Sequence, residues 1–166
     1  FSVLTGCLRV AKESIFTGLN NFKVYPITNV AFDEYFGFTD FEVKEILKYY
    51  HQTGQYETVK TWYDGYHFGD VDIYCPWEVI CFCEDHRESP DLAPQNYWLN
   101  TSGNQIIRHF IENMGSQSQL TKTDLELLLN GSSVQRTIRQ ELTYKDLYSS
   151  PENLWSALFM TGYLTQ

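Results

Sequence analysis

The chain has 166 residues, 43% of them hydrophobic, with 21 acidic against 12 basic side chains and a formal charge of −9 at pH 7. That composition excludes an intrinsically disordered polypeptide, suffices for a sizeable core, and weighs against a non-specific electrostatic grip on nucleic acid. The apolar runs fall far short of the ~20 residues that a membrane-spanning helix needs, and no targeting segment is visible. Because Phe1 opens without a methionine in the middle of an apolar run, a cytoplasmic piece of something longer is expected. Cys7, Cys75, Cys81 and Cys83 sit in a chain too large to need disulfide staples, so reduced thiols fit the same compartment.

In chain order, Phe1 to Leu4 is apolar and rich in β-formers, a buried strand whose sheet partners lie elsewhere. Left alone it is an exposed edge, prone to association. A helical turn over 11–15 is followed by an alternating strand from Phe22 to Ile27, then by cap-type residues Thr28, Asn29 and Asp33 before Phe32 to Phe36. The clearest helix begins at Thr39 or Asp40. Thr39 and Glu42 have the spacing of a capping box, and Val43, Ile46, Leu47 and Tyr50 recur at three and four on one face; Gly54, beyond His51, is expected to end it. From Tyr56 to Tyr74 the β-formers predict a small sheet, with Thr58–Tyr63 and Asp72–Tyr74 flanking a turn at Asp64-Gly65. Pro76 opens a helix to Asp85, and His86 to Pro94 is polar, proline-bearing and loop-like.

Further on, a helix from Ser102 or Asn104 carries Ile106, Ile107, Phe110, Ile111 and Met114. A short helix from Thr121 to Asn130 closes at Gly131, and the common parity of Val134, Ile138 and Leu142 suits a strand. Ser150-Pro151 opens a last helix whose Leu154, Trp155, Leu158 and Phe159 face a core before Gly162 stops it. The fold class expected is α+β, mainly α, with small β elements.

Four Trp, twelve Tyr and eleven Phe are clustered rather than scattered. Trp62-Tyr63-Asp64-Gly65-Tyr66-His67-Phe68-Gly69 holds four of these rings, and Tyr74-Cys75-Pro76-Trp77 and Tyr97-Trp98 with Asn100-Thr101-Ser102 repeat the style. Rings of this size need cover, so packing and turn formation explain most of them. A pocket using Asp64 and His67 as polar groups is the sharper alternative. Asp64-Gly65 is also a common hairpin dipeptide, where the carboxylate bonds only its own turn. Cys81 and Cys83 lie within the predicted helix and His86 just past its expected end, but Cys-x-Cys-x-x-His lacks a standard zinc spacing, so no metal site is assigned.

Tyr35-Phe36-Gly37-Phe38-Thr39, Trp62-Tyr63-Asp64-Gly65-Tyr66, Pro76-Trp77, Tyr97-Trp98 with Asn100-Thr101-Ser102, and Gly162-Tyr163-Leu164-Thr165 occur in that order over nearly the whole chain. Together they resemble the predicted AAA-ATPase-like proteins of bacteria, in which a P-loop half is followed by a region like this one and then by a PD-(D/E)XK nuclease-like domain. The resemblance implies that residues 1–30 are the C-terminal edge of an ATPase-like core, including its last strand, and that 31–166 are a helical lid or sensor domain with a small β-hairpin. It implies that ATP and Mg²⁺ belong to the parent protein, with none bound by this segment alone, and that its partners are the P-loop core before it and the nuclease-like domain after it. Thr5 and Arg9 fall where such a core places polar nucleotide sensors, and a cation there would stabilise developing phosphate charge.

The chain carries no G-x-x-x-x-G-K-[ST] phosphate loop and no acidic-x-Lys strand of the nuclease type. Two functions therefore fit. One is a sensor and lid that couples nucleotide state to a downstream effector and is not catalytic alone; the other is an aromatic-rich module that binds a peptide, a protein partner or a sugar.

Overall fold

A computed structural model of the chain describes residues 3, 5, 6, 23–98, 119–142, 146, 149, 150 and 152–166. It is an α+β structure, mainly helical. Among the described residues there are five α-helices and one three-stranded antiparallel sheet of order β1-β3-β2. Two compact units divide the chain, one from Val24–Gly103 with the last two residues and one from Phe1–Lys23 with Asn104–Leu164.

The first unit opens with a turn closed from the Asn29 amide to the Pro26 carbonyl at 2.9 Å and a single 3-10 turn at Asp33–Tyr35. The strand expected to Ile27 does not form over its described part. Pro26 has no amide to give a ladder, and its carbonyl is taken by the turn. β1 (Phe38–Thr39) then leads into α1 (Asp40–Tyr49). Here the sequence rule holds in full: the Thr39 hydroxyl accepts from the Glu42 amide, while Glu42 Oε2 accepts from the Thr39 amide at 2.9 Å. Gly54 does not end the helix. His51 takes the left-handed conformation (φ 59°), its amide bonding the Lys48 carbonyl, and Gly54 falls inside a following 3-10 turn, Thr53–Gln55.

α2 (Tyr56–Tyr63) replaces the expected strand at Thr58–Tyr63. Its β-branched residues suit a strand, yet Val59 and Tyr63 lie four apart, and only a helix buries both against the same neighbours. The hairpin is displaced accordingly. β2 (Asp64–Phe68) and β3 (Val71–Tyr74) pair from Asp64↔Tyr74 to Phe68↔Val71, so the reversal sits at Gly69-Asp70 and not at Asp64-Gly65. Gly65 falls at a register shift between Asp64 and Tyr66, the extra residue of a bulge. Gly69 has φ 54°, and a Cβ there would overlap Asp33 and lie 2.8 Å from the Val30 backbone.

α3 (Pro76–Glu88) takes Pro76 at its first position and runs past the expected end. His86, expected in a solvated loop, is buried on the Phe82 ring with centroids 3.7 Å apart. The core of this unit is Val43 and Leu47 from α1, Val59 and Tyr63 from α2, Tyr74 from β3, and Val79, Phe82 and Cys83 from α3.

In the other unit α4 (Gln119–Leu129) ends at Gly131 (φ 76°), and α5 (Glu152–Met160) is buried from Asn153 through Phe159. Residues 132–139 form no strand. They are tied to α5 by its side chains instead: the Arg139 amide donates to Ser156 Oγ at 2.9 Å, and Arg139 Nη1 to Asn153 Oδ1 at 3.3 Å. Arg136 pairs with Asp124 and lies over the Trp155 ring, which accounts for a cation on the parity of Val134, Ile138 and Leu142. Gly162 (φ 82°) stops α5, and the Tyr163 amide turns back to the Leu158 carbonyl at 2.8 Å. The expected helix from Ser102 or Asn104, the turn over 11–15 and all of Phe1–Leu4 except Val3 lie outside the described residues.

Candidate functional site

A polar constellation that joins several elements lies where α1 begins and the hairpin ends. Asp40, first residue of α1, is fixed there by the cap at Thr39, and α1 geometry places Lys44 one turn on, with Nζ 2.5 Å from Asp40 Oδ2. The other oxygen receives two phenols, Tyr56 at 2.5 Å from the start of α2 and Tyr74 at 3.2 Å from the end of β3. One carboxylate thus joins a helix start, a second helix and the sheet. Lys44 first and Tyr56 next hold the Asp40 carboxyl below the ordinary carboxylate range. Burial drives the Tyr74 phenol well above its ordinary value, so it donates as a neutral hydroxyl.

Asp64 stands beside this cluster, half-buried, opposite Tyr74 in the ladder. Burial, then the nearby Asp72 charge, raises its carboxyl above the ordinary value, with Tyr74 opposing weakly. The carboxylate is therefore not spent on a local turn, because the turn is at the far end of the hairpin. His67 Nδ1 lies 2.7 Å from Asp72 Oδ1 in a direct cross-strand pair. Asp64 and His67 share β2, but each has its own partners across the ladder, Tyr74 for one and Asp72 for the other.

The remaining motif residues divide between packing and exposure. Tyr63 is buried, its hydroxyl donating to the Gln95 carbonyl at 2.9 Å, and burial pushes the phenol up to about 12. Phe38 pairs with Tyr74 in the sheet, and at Gly37 the chain passes close against β3: a Cβ there would overlap Ile73 and lie 2.9 Å from the Tyr74 carbonyl. Tyr66 is half-buried against Phe68, and Trp98 supplies a backbone donor to Glu78, whose carboxyl burial raises. Gly162 and Tyr163 close α5 onto Leu154 and Leu158. Phe36, Trp62 and Trp77, by contrast, are exposed. Thr5 is exposed, and Arg9, Asn100, Thr101 and Ser102 lie outside the described residues.

Cys83 is buried, its thiol pushed up to about 11 by that burial, and both ring nitrogens of His86 lie within 2.9 Å of carbonyl oxygens, of Phe82 and Leu92. Those groups serve the packing of α3 rather than a metal. The sequence marks Asp40 only as a helix start, Tyr74 only as a ring of an aromatic turn, and Tyr56 only as the edge of an expected sheet. Asp40–Lys44 is a legible i,i+4 pair, but the two phenols arrive from elements 16 and 34 residues away.

No family model matches this chain. A protein of Azotobacter chroococcum mcd 1, described as an uncharacterized protein in the vnfD 5' region, is 23% identical over 101 residues, or 61% of this chain. The chain spans 18% of that protein's length. No solved structure matches. No helix among the described residues is long and apolar enough to cross a membrane.

Proposed function

We propose that this chain is the sensor and lid region of an AAA-ATPase-like protein, coupling the nucleotide state of a P-loop core to a nuclease-like effector domain in the same polypeptide. The observation that carries this reading is the two-sided character of α1. Val43 and Leu47 are 0% and 1% exposed in the core, while Phe41 and Tyr49 on the same helix are 71% and 79% exposed. A helix anchored in a packed core that turns large rings outward is suited to receive another domain. The resemblance supports the identity of that domain, and ATP with Mg²⁺ belongs to it. Thr5 and Arg9 are the nucleotide sensors in this account. Free thiols at Cys75, Cys81 and Cys83 are in keeping with a cytoplasmic setting.

The test is thermal unfolding of the 166-residue chain with and without Mg·ATP. A ligand at a hundred times its dissociation constant adds about 2.7 kcal/mol to stability. No change in midpoint is expected; a rise of several degrees would place a complete nucleotide site within this chain and contradict the division of labour. The second function, an aromatic-rich module for a peptide, protein partner or sugar, is favoured by Trp62 and Trp77, whose indoles are exposed although both belong to the shared motifs.

A further inference from the structure

A second set of exposed rings lies just before β1 and α1 in the chain. Phe32, Tyr35 and Phe36 are 51%, 77% and 60% exposed, and Phe32 and Tyr35 meet edge-to-face with centroids 6.0 Å apart. Phe32 holds φ 72°, a left-handed conformation that is a strain for an aromatic residue. The segment is fixed there from both sides. Asn29 Oδ1 accepts from the Ala31 amide at 2.8 Å, the Gly69 amide donates to the Ile27 carbonyl at 2.8 Å, and the Asp70 amide donates to Asp33 Oδ2 at 3.2 Å. The ring ledge and the hairpin turn are therefore one piece of surface.

The lysine- and arginine-free segments that form it contribute charges of one sign. From Val24 through Thr39 the chain has no Lys or Arg, and from Asp64 through Tyr74 it again has none. Asp33 and Glu34 flank the rings, and the hairpin adds Asp70 and Asp72, of which Asp72 is paired with His67. Phosphate backbones and anionic lipid surfaces are repelled by this arrangement. Planar guanidinium groups are attracted twice, because they stack on aromatic faces and bond carboxylates in the same orientation.

We propose that the Phe32–Tyr35–Phe36 ledge with Glu34 and Asp70 is a docking surface for a basic, arginine-bearing segment of a protein partner. The arginines lie over the exposed rings, and the carboxylates on either side fix their spacing. This surface stands independently of the nucleotide reading, since it needs neither a P-loop core nor α1.

The test is fluorescence anisotropy of the whole chain with a labelled twelve-residue peptide of alternating arginine and glycine, beside peptides with lysine or glutamate in place of arginine. Tight binding of the arginine peptide, a weaker lysine complex and no glutamate complex are expected. Each of Tyr35→Ala and Phe36→Ala removes an exposed ring without touching the core, and the pair together should weaken arginine-peptide binding about tenfold, the scale of two partly desolvated cation–π contacts. Glu34→Lys with Asp70→Lys should weaken it at least as much, whereas Glu88→Lys on the far end of α3 should not. Unchanged unfolding midpoints establish that the variants are folded. Equal affinity for arginine and lysine peptides, or indifference to loss of the rings, would reduce the effect to net charge and overturn the proposal. Self-association that disappears with Phe36→Ala, in the absence of any peptide binding, would also overturn it.

Discussion

Asp40 and Asp64 stand near one another around Tyr74, and their surroundings push them in opposite directions. Asp40 is held low by Lys44 and two phenols; Asp64 is raised by burial and by Asp72. For Asp40 the folded state favours the charged form, so its contribution is present above the unfolded value of about 4 and is lost as pH falls through the lowered one. For Asp64 the folded state favours the protonated form, so stability is lost as pH rises through its raised value. Asp40→Asn should therefore destabilise the protein at pH 7 by about 1 kcal/mol, a figure kept small because the carboxylate is partly exposed and screened. The deficit should shrink toward pH 3. Asp64→Asn should be neutral or slightly stabilising at pH 7. Urea unfolding of both variants between pH 3 and 7 checks the pair of signs, and a larger loss from Asp64→Asn than from Asp40→Asn at pH 7 would reverse the assignment of roles.

At the scale of elements, the start of α1 and the close approach at Gly37 make sharper tests than any exposed ring. Thr39→Ala removes an N-cap acceptor and half of a capping box, for an expected cost of about 1 kcal/mol in unfolding free energy. Gly37→Ala should cost more, because its methyl meets Ile73 and the Tyr74 carbonyl in the sheet, where backbone cannot give way as a surface side chain can. Phe82→Ala, which opens a cavity between α2 and α3, is expected to cost about 3–5 kcal/mol. Calorimetric or denaturant midpoints that rank Thr39→Ala as the most severe of these three would contradict the packing described.

The same elements mark what local sequence can say. α1 was legible because cap, spacing and charge all agree within ten residues, and α3 and α5 because Pro76 and Gly162 punctuate them. α2 was not legible: Thr58, Val59 and Thr61 favour a strand, and only the partners of Val59 and Tyr63, supplied by α1, β3 and α3, decide for a helix. With 58–63 read as a strand, the hairpin turn falls at Asp64-Gly65 and Asp64 bonds its own turn; with α2 in its place the turn is at Gly69-Asp70 and Asp64 faces Tyr74. His86 is hidden from local pattern for a related reason, since the carbonyl of Leu92 that faces its ring belongs to the polar stretch after the helix. Val134 and Ile138 have strand parity, but Ser156 and Asn153 of α5 hold the amide and guanidinium of Arg139, which no pattern within residues 132–142 records.

On the scale of the whole molecule, the chain combines a net charge of −9 with large rings left exposed on α1 and around Asp33–Tyr35. An acidic surface with aromatic islands is suited to protein contacts and poorly suited to nucleic acid. Under the proposed coupling role, nucleic acid would be bound elsewhere than through this region. The most direct measurement is ATP turnover by the natural protein, unaltered and with Phe41→Ala and Tyr49→Ala together. Neither side chain is in the core, so folding should survive. The coupling account predicts that the unaltered protein hydrolyses ATP and that the double variant still binds it but turns it over about tenfold more slowly, a loss of roughly 1.4 kcal/mol from the assembled state. Absence of turnover in the unaltered protein, or equal turnover in both, would contradict it.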